Sequence, residues 1–283
     1  MTDLPEIDSI LKQALLEDVG KGDITTGAIV PGSHKSKAHL IARENFILAG
    51  LPFAEQIFRL VCPTLRFKAN KKDGDLVKEG SVIAKITGST RGLLTGERTS
   101  LNFMQRLSGI STLTRRFLDQ IEGLPVKILD TRKTTPGLRL FEKYAVRVGG
   151  GHNHRFGLFD GILIKDNHIK AVGSIKKAVR LVRENAGHIP EVEVEVENIR
   201  EVRRVLASDA DIIMLDNMPL KDIKRAVIII RRQNPGVVIE ASGNIKLENI
   251  RAVAETGVDR ISIGALTHSA VAVDISMDVI PLH

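Results

Sequence analysis

Two cationic segments carry the residues best suited to binding a small anion. Arg132 and Lys133 follow one apolar run in "VKILDTRK", while His154, Arg155 and Lys165 lie in "VGGGHNHRFGLFDGILIKD" around another. Guanidinium groups bind carboxylates with two parallel hydrogen bonds, whereas lysine supplies a point charge. These five residues together predict a pocket for a dianion.

Three consecutive glycines, Gly149–Gly151, precede the histidine and arginine of the second segment. Glycine weakens helices and strands, so such a run is typical of a sharp turn or of close approach between backbone and ligand. We expect this turn to let His154 and Arg155 face a flat ligand that a bulkier loop would obstruct.

Acidic residues end two later apolar runs. Glu195 lies in "EVEVEV" and Asp216 ends "DIIMLD". Inside a basic pocket, unpaired carboxylates would compete with an anionic substrate, so we expect them to hold Mg²⁺ or ribose hydroxyls. The alternation leaves open whether Glu193 or Glu195 does so, and Glu191 is expected to face solvent. Asp216 and Asn217 could instead only cap the next helix.

Two further segments offer exposed backbone amides. Ser242, Gly243 and Asn244 follow one run, and Ile263, Gly264 and Ala265 close another. Both lead towards predicted helix starts, where phosphates often bind in α/β barrels. A zinc site built from His152, His154 and His168 is disfavoured because the spacing of these histidines does not suit a zinc centre.

Short apolar runs separated by amphipathic helices must position these side chains. From Pro125 onward this alternation is typical of parallel strands joined by crossover helices. Active sites of β/α barrels lie at the carboxyl ends of the strands, where the polar residues fall here. Six runs imply an incomplete barrel or one hidden strand; they are "VKILDT", "GILIKD", "EVEVEV", "DIIMLDN", "VVIEAS" and "RISIGA".

The region before Pro125 has a different pattern. A helical pattern over residues 7–15 precedes β-rich stretches in "KAHLIARENFILAG" and "LVKEGSVIAKITGS". A long helix is predicted from about residue 93 to about residue 122, with a break near Gly109.

The net charge of +7 favours an anionic partner. A basic solvated surface or nucleic-acid binding would also explain it, but the cations form no tail or stripe, and the chain has no Trp and one Tyr for base stacking. A single cysteine, Cys62, excludes intrachain disulfides and cysteine-based metal sites. No apolar run spans a bilayer and no signal-peptide layout is visible, so we expect a soluble cytoplasmic protein without a membrane or nucleic-acid partner.

Several long motifs in order resemble the quinolinate phosphoribosyltransferase family. They include "EDVGKGDITT", "GERTSLNFMQRLSGI", "DTRKTTPGLR", "KYAVRVGGGHNHRFGLFDGILIKDNH", "LDNM", "ASGNI" and "GVDRISIGALTHSA", so the resemblance runs nearly end to end. It implies an α/β fold, an incomplete β/α barrel with an open-faced α/β sandwich as N-terminal domain. The implied domains are residues 1–115, with the tail 270–283 packed on them, and residues 116–269.

The resemblance also implies an activity. Quinolinate and phosphoribosyl pyrophosphate would react in the presence of Mg²⁺ to nicotinate mononucleotide, pyrophosphate and CO₂, in NAD biosynthesis. The implied assembly is a homodimer with shared active sites, or a higher oligomer of such dimers.

Site residues follow from the same motifs. Arg132, His154 and Arg155 match residues that hold the quinolinate carboxylates, and Lys133 and Lys165 match those near the reacting centre and phosphates. Glu195 and Asp216 match the carboxylates facing the ribose and its metal, and Arg98 matches an arginine that reaches the neighbouring subunit's site. The complete predicted site is Arg98, Thr131, Arg132, Lys133, His154, Arg155, Lys165, Glu195, Asp216, Ser242, Gly243, Asn244, Ile263, Gly264 and Ala265, of which Lys133, Lys165, Glu195 and Asp216 are the catalytic groups.

Two other enzyme-like interpretations remain. A paralogue of this fold associated with molybdenum transport would change the dicarboxylate pocket, and another phosphate-binding barrel enzyme would keep only the two amide segments. The combination of Arg132, His154 and Arg155 argues against both.

Overall fold

The structure, a computed structural model, describes residues 5–186 and 191–282; the first residues of the predicted N-terminal domain and the last residue of the predicted tail lie outside this range. In chain order its elements are α1 (Pro5–Val19), α2 (Ile24–Ile29), β1 (Lys35–Ala42), β2 (Phe46–Ile47), α3 (Leu51–Val61), β3 (Arg66–Ala69), β4 (Leu76–Val77), β5 (Val82–Ser89), α4 (Thr90–Gln120), β6 (Lys127–Leu129), α5 (Arg139–Val148), β7 (Ile162–Ile164), α6 (Asp166–Val172), α7 (Ile175–Asn185), β8 (Val192–Val196), α8 (Ile199–Leu206), β9 (Ile212–Asp216), α9 (Leu220–Gln233), β10 (Val238–Ser242), α10 (Ile250–Ala254), β11 (Arg260–Ser262), α11 (Ala265–His268) and β12 (Ile275–Pro281).

The chain divides into two units. The first contains residues 1–115, 136–150 and 270–283, and the second contains residues 116–135 and 151–269. From the sequence, residues 136–150 were placed in the barrel domain, whereas here they group with the first unit.

Helix α5 explains this correction. Its Phe141 packs edge-on against Phe53 with ring centroids 4.8 Å apart. Its Glu142 accepts a hydrogen bond from Arg106 Nη2 at 2.8 Å. Local periodicity shows that α5 is amphipathic but does not show which core its apolar face joins.

An antiparallel sheet in the order β12-β1-β5-β3 forms the centre of the first unit. Strand β1 alternates between exposed and buried positions, as a strand with one covered face does. The C-terminal segment provides β12, which pairs with β1 from Ser36 opposite Pro281 to Ala42 opposite Ile275. Leu40, Phe58, Ile86 and Met104 belong to the apolar core of this unit.

Helix α4 runs without interruption from Thr90 to Gln120, so the predicted break at Gly109 is wrong. A side chain at this position would meet the carbonyl oxygen of Val271 at 2.0 Å. Gly109 therefore permits close approach of the C-terminal segment instead of ending the helix.

The six predicted apolar runs form one parallel sheet in the second unit, in the order β6-β11-β10-β9-β8-β7. Crossover helices connect them, which confirms the predicted β/α architecture. Among the described residues β6 and β7 are the unpaired edges, apart from an isolated bridge between Leu129 and His152 beside β6.

Within the described part of the chain, every helix is too short or too polar to cross a lipid bilayer.

Candidate active site

A cavity of about 400 Å³ lies at the carboxyl ends of the strands of the parallel sheet. The structure brings eleven of the fifteen predicted site residues to its walls. These are Thr131, Arg132, Lys133, His154, Arg155, Lys165, Glu195, Asp216, Ser242, Gly243 and Asn244, and we call this space the upper cavity.

Two guanidinium groups concentrate positive charge at the upper cavity. Burial, and then the neighbouring Arg132, lower the pKa of Arg155. Arg155 nevertheless stays protonated because the ordinary pKa of arginine is so high. Arg155 Nη1 donates to the carbonyl oxygen of Gly161 at 2.9 Å, which orients the guanidinium. Two adjacent, charged forks suit a ligand with two carboxylates.

The backbone of the segment before Arg155 is fixed by a buried carboxylate. Asp130, which follows β6 and is fully buried, accepts hydrogen bonds from the amide nitrogen of His154 at 2.9 Å and from Asn153 Nδ2 at 2.5 Å. The segment that follows β6 thus supplies two cations, Arg132 and Lys133. It also supplies Asp130, the carboxylate that anchors the second cationic segment.

Both ring nitrogens of His154 contact protein groups. Nδ1 accepts a hydrogen bond from the backbone N–H of Arg155 at 2.8 Å. Nε2 lies 3.1 Å from Glu193 Oε2 and 3.6 Å from Glu240 Oε1. The sequence analysis assigned His154 to a substrate carboxylate, but in this geometry its ring organises Arg155 and faces two buried carboxyl groups.

The glycine run has two physical explanations. A side chain at Gly149 would lie 2.6 Å from the carbonyl oxygen of Ser111, so only glycine fits beside helix α4. Gly150 has a φ of 99°, in the left-handed region that favours glycine. These two positions account for the tight turn expected there, whereas Gly151 is buried and has no such backbone requirement.

Glu195 and Asp216 lie at the ends of neighbouring strands. Glu195 Oε2 accepts a hydrogen bond from Lys165 Nζ at 2.7 Å. Asp216 Oδ2 accepts one from Asn217 Nδ2 at 2.7 Å. Glu193 points to the same side of β8 as Glu195 because residues two apart share a face, but it is buried below the upper cavity. Of the two glutamates that the alternation left open, only Glu195 lines this cavity.

Two asparagines shape the floor beside the predicted phosphate segment. Asn217 and Asn244 both have a φ of 52°, and Asn244 Nδ2 donates to Asn217 Oδ1 at 2.9 Å. Gly243 has a φ of 85°, and a side chain there would lie 2.2 Å from Asn217 Oδ1. Glycine is therefore required at this position.

The sequence analysis missed four residues that line the upper cavity: Leu163, Met214, Asn217 and Ser262. Three belong to strands and point inward by the period of two, so strand alternation could have found them. Asn217 was interpreted only as a possible helix cap.

Four predicted residues do not line the upper cavity. Ile263 is buried, and its backbone N–H bonds to the carbonyl oxygen of Leu129. Gly264 lies beneath the Lys133 side chain, where a β-carbon would come within 2.9 Å. Ala265 begins α11, and Arg98 is exposed on α4 in the first unit.

Three other polar residues that the sequence brought into consideration, His152, His168 and Glu191, lie outside the upper cavity. His168 Nδ1 accepts a hydrogen bond from the backbone N–H of Lys165 at the start of α6. Glu191 is exposed, as expected, and lines a second cavity of about 240 Å³ together with Glu193 and Arg260, which we call the lower cavity. Among the described residues, neither His152 nor His168 joins a group of side chains close enough to share a metal ion.

Comparisons with known proteins agree with this geometry. Residues 23–108 match the model of the quinolinate phosphoribosyl transferase N-terminal domain, and residues 110–278 match that of its C-terminal domain. The chain is 46% identical over 283 residues to a Synechocystis protein named probable nicotinate-nucleotide pyrophosphorylase (carboxylating), covering 99% of this chain and 96% of that protein. A Bacillus subtilis protein of the same name is 46% identical over 274 residues, covering 97% of this chain and 93% of that one.

The fold is likewise similar to solved structures. The crystal structure of NadC from Streptococcus pyogenes superposes with a TM-score of 0.94 at 45% identity, covering 100% of both chains. Both family models, the two close relatives and this superposition span the two units and the cavity that carries the predicted cations. The chain therefore belongs to the quinolinate phosphoribosyltransferase family.

Proposed function

We propose that this chain transfers the phosphoribosyl group of phosphoribosyl pyrophosphate to quinolinate, with loss of CO₂, in the formation of nicotinate mononucleotide for NAD. The observation that carries the proposal is the pairing of Arg132 and Arg155 in one cavity with the carboxylates Glu195 and Asp216. Cations for an aromatic dicarboxylate and acceptors for a sugar thus converge at one set of strand ends.

Quinolinate binding is assigned to the two arginines and the adjacent lysine. Arg132 and Arg155 would each hold a carboxylate, and Lys165 would add charge beside the ring. The backbone hydrogen bond from Arg155 to the His154 ring restricts where its guanidinium can lie. Because orientation of two reactants contributes several kcal/mol to a bimolecular reaction, a rigid clamp on the ring serves the transfer directly.

The transfer replaces one bond at the sugar with another. The lone pair of the pyridine nitrogen forms a bond to the anomeric carbon, and the bond from that carbon to the pyrophosphate oxygen breaks, with its electrons leaving on pyrophosphate. Positive charge develops on the ribose as the bonds exchange. Glu195 and Asp216 lie on neighbouring strands where they would stabilise this charge, and Lys133 would neutralise the departing phosphates.

Decarboxylation follows from the charge that the transfer leaves on the ring. The quaternised nitrogen withdraws electrons from the adjacent carbon, so the bond from this carbon to its carboxylate breaks and CO₂ leaves. The electron pair stays on the ring carbon next to the positive nitrogen, and a proton from water completes nicotinate mononucleotide. This step needs no organic cofactor.

Mg²⁺ is proposed as the metal ion of the reaction. Glu195 and Asp216 supply the hard oxygen ligands that Mg²⁺ prefers, and pyrophosphate groups supply the rest. Lys165 already neutralises Glu195 at 2.7 Å, which leaves Asp216 as the better placed direct ligand. A bound Mg²⁺ would neutralise charge on the pyrophosphate group.

One assay tests the proposed function. Incubation with quinolinate, phosphoribosyl pyrophosphate and Mg²⁺ should yield nicotinate mononucleotide and CO₂ in equal amounts. Nicotinate should be a very poor substrate, because its single carboxylate can engage only one of the two guanidinium groups at a time. Comparable turnover of both acids, or no turnover of quinolinate, would contradict the assignment.

We also propose that the active protein is a homodimer, or an oligomer of dimers, in which Arg98 of one subunit completes the neighbour's site. Arg98 is exposed and does not line the upper cavity of its own chain. Arg98→Ala and Arg132→Ala proteins should each be nearly inactive, and mixing them should restore roughly a quarter of wild-type sites, since one site of each mixed dimer carries neither defect. Lack of recovery after demonstrated subunit exchange would contradict sharing.

A further inference from the structure

A buried cluster below the upper cavity has no part in the reaction as described so far. It consists of His154, Glu193 and Glu240, which we call the buried triad; their ligand atoms all lie within 4.8 Å of one another. The side chain of Glu240 is fully buried and that of Glu193 is 5% exposed. Glu193 comes from β8 and Glu240 from β10, and neither lines the upper cavity.

The histidine of the triad separates two spaces. His154 and Arg155 line both the upper and the lower cavity, so one side of this segment faces the proposed substrate site and the other does not. The His154 ring can hold one orientation only if protein groups contact it on the side away from the upper cavity. Glu193 and Glu240 provide these contacts.

The hydrogen bond at Nδ1 determines the tautomer of His154. Nδ1 accepts from the backbone N–H of Arg155 at 2.8 Å and so carries a lone pair. A neutral imidazole has one proton, which must then lie on Nε2, the atom that faces the two carboxyl groups. His154 therefore donates to Glu193 Oε2, 3.1 Å away.

This tautomer argues against a metal ion in the triad. A metal bound at Nε2 would need the lone pair of that nitrogen, and ligating histidines donate a hydrogen bond from their other ring nitrogen. Here the other nitrogen is an acceptor. The buried triad is therefore bridged by the proton on His154 Nε2 and not by a metal ion.

The two carboxyl groups of the buried triad differ in how readily they hold a proton. In the described part of the chain, neither oxygen of Glu240 has a hydrogen-bond partner, whereas Glu193 Oε2 receives the His154 contact. Burial, and then the charge of Glu193, raise the pKa of Glu240 to about 7, while His154, Ser262 and Arg260 oppose the shift. Two close buried carboxylates rarely both ionise, so Glu240 is the member of the pair that burial and the charge of Glu193 drive towards the protonated form.

We propose that Glu193 and Glu240 are positioning residues for quinolinate, which hold the His154 ring and, through it, the backbone of Arg155. The inference rests on the proposed function, because Arg155 is there assigned to a quinolinate carboxylate. Displacement of the ring would release the hydrogen bond at the Arg155 backbone and loosen the guanidinium. Phosphoribosyl pyrophosphate, which is assigned to Glu195, Asp216 and Lys133 and not to Arg155, would bind as before.

Four variants test this role through the separate KM values of the two substrates. Glu193→Gln removes the carboxylate that faces His154 Nε2 at 3.1 Å, and Glu240→Leu removes the second carboxyl group beside the ring. Each should raise the KM for quinolinate about tenfold or more while the KM for phosphoribosyl pyrophosphate stays within about twofold. Glu240→Gln, which imitates a protonated glutamic acid, should rescue the quinolinate KM to within about threefold of wild type. Glu191→Gln, an exposed glutamate immediately before β8, is the matched control and should change neither value.

The outcomes separate the two proposals. A wild-type protein that does not convert quinolinate would overturn the proposed function and this role with it. Wild-type conversion combined with an unchanged quinolinate KM in folded Glu193→Gln would overturn the positioning role alone. An equal rise in both KM values would also overturn it, because a general structural defect has no preference between substrates.

A measurement on the wild-type protein covers variants that fail to fold. The ¹⁵N spectrum of the histidine rings, with His154 assigned by comparison with His154→Asn, should show a proton on Nε2 and none on Nδ1. A proton on Nδ1 would overturn the role of the triad. Stoichiometric Zn²⁺ binding that Glu240→Gln abolishes would overturn it as well, because Nε2 would then be a metal ligand.

Discussion

The two units bury carboxyl groups in opposite ways. In the first unit Glu142 is fully buried and accepts hydrogen bonds from Arg106 Nε at 3.2 Å and Nη2 at 2.8 Å. In the second unit Glu240 is just as buried, yet among the described residues its oxygens have no hydrogen-bond partner, and His154 Nε2 lies 3.6 Å from its Oε1. One carboxylate is neutralised by a permanent charge and the other by a proton.

The difference corresponds to the different roles of the two buried carboxyl groups. Arginine stays protonated at any relevant pH, so the Glu142 pair is a fixed structural contact. A proton-neutralised glutamate needs no guanidinium as a partner, and Arg132 and Arg155 of the second unit line the upper cavity. We infer that the first unit uses its buried charge for stability, while the second keeps its arginines for an anionic substrate.

The largest effect is expected where an arginine faces the upper cavity. Arg155→Lys, or Arg132→Lys, keeps the charge but loses the planar pair of donors. Either change should lower kcat/KM for quinolinate by about 2–4 kcal/mol of transition-state binding, and should lower the free energy of unfolding by less than about 1 kcal/mol. Steady-state kinetics and urea unfolding measure the two quantities. Turnover within a fewfold of wild type in both variants would remove the assignment.

The converse result is expected at the arginine pair of the first unit. Glu142→Gln leaves the Arg106 guanidinium without its countercharge and should lower the free energy of unfolding by about 2–3 kcal/mol. Turnover per folded molecule should stay near wild type. Urea unfolding with activity measured on the folded fraction checks both values. A loss of turnover without a loss of stability would contradict the assignment of Glu142 to stability of the first unit.

The same substitution at Glu240 should depend on pH. The pKa of Glu240 is raised from 4.5 to about 7, so the folded state keeps a proton that the unfolded state has lost in this interval. This contribution to stability is present at low pH and is lost as pH rises towards about 7. Glu240→Gln should therefore match wild type near pH 5 and exceed its unfolding free energy at pH 8, on the order of 2 kcal/mol.

Unfolding curves of both proteins across this pH range provide the measurement. Groups that titrate equally in both proteins cancel in the difference between them. A constant difference at all pH values would show that Glu240 is ionised in the folded protein.

The smallest effect is expected at an exposed pair. Glu55 accepts a hydrogen bond from Arg59 at 3.1 Å, four residues later in α3, and the two side chains are 42% and 70% exposed. Glu55→Gln should change the free energy of unfolding by less than about 0.5 kcal/mol, since water screens such pairs. A loss of unfolding free energy as large as that expected for Glu142→Gln would show that burial does not determine how much each ion pair contributes to stability.

Much of the second unit could be predicted from local patterns. Apolar runs that end in polar residues indicate parallel strands with a site at their carboxyl ends, and all six runs became strands β6–β11. The cations Arg132 and Lys165 were found in the same way, because residues that follow a strand lie at the sheet edge wherever the strand packs. Arg155 was found from the glycine and histidine composition of its segment.

Contacts between distant segments could not be predicted. Gly109 resembles a helix break until the carbonyl of Val271 is placed beside it, and α5 resembles any amphipathic helix until Phe141 meets Phe53. Glu240 was overlooked because its strand is otherwise apolar, and nothing in "VVIEAS" indicates that a histidine faces it.

The sequence by itself determined the family, the six strands of the parallel sheet, and which side chains share a face of β8. Only the tertiary structure decided that Glu195 reaches the upper cavity and Glu193 stops below it against His154. The period of two in a strand relates residues i and i+2 but contains no information on depth. Depth depends on the register with neighbouring strands and on the segment that crosses above them, and both are properties of residues far apart in the chain.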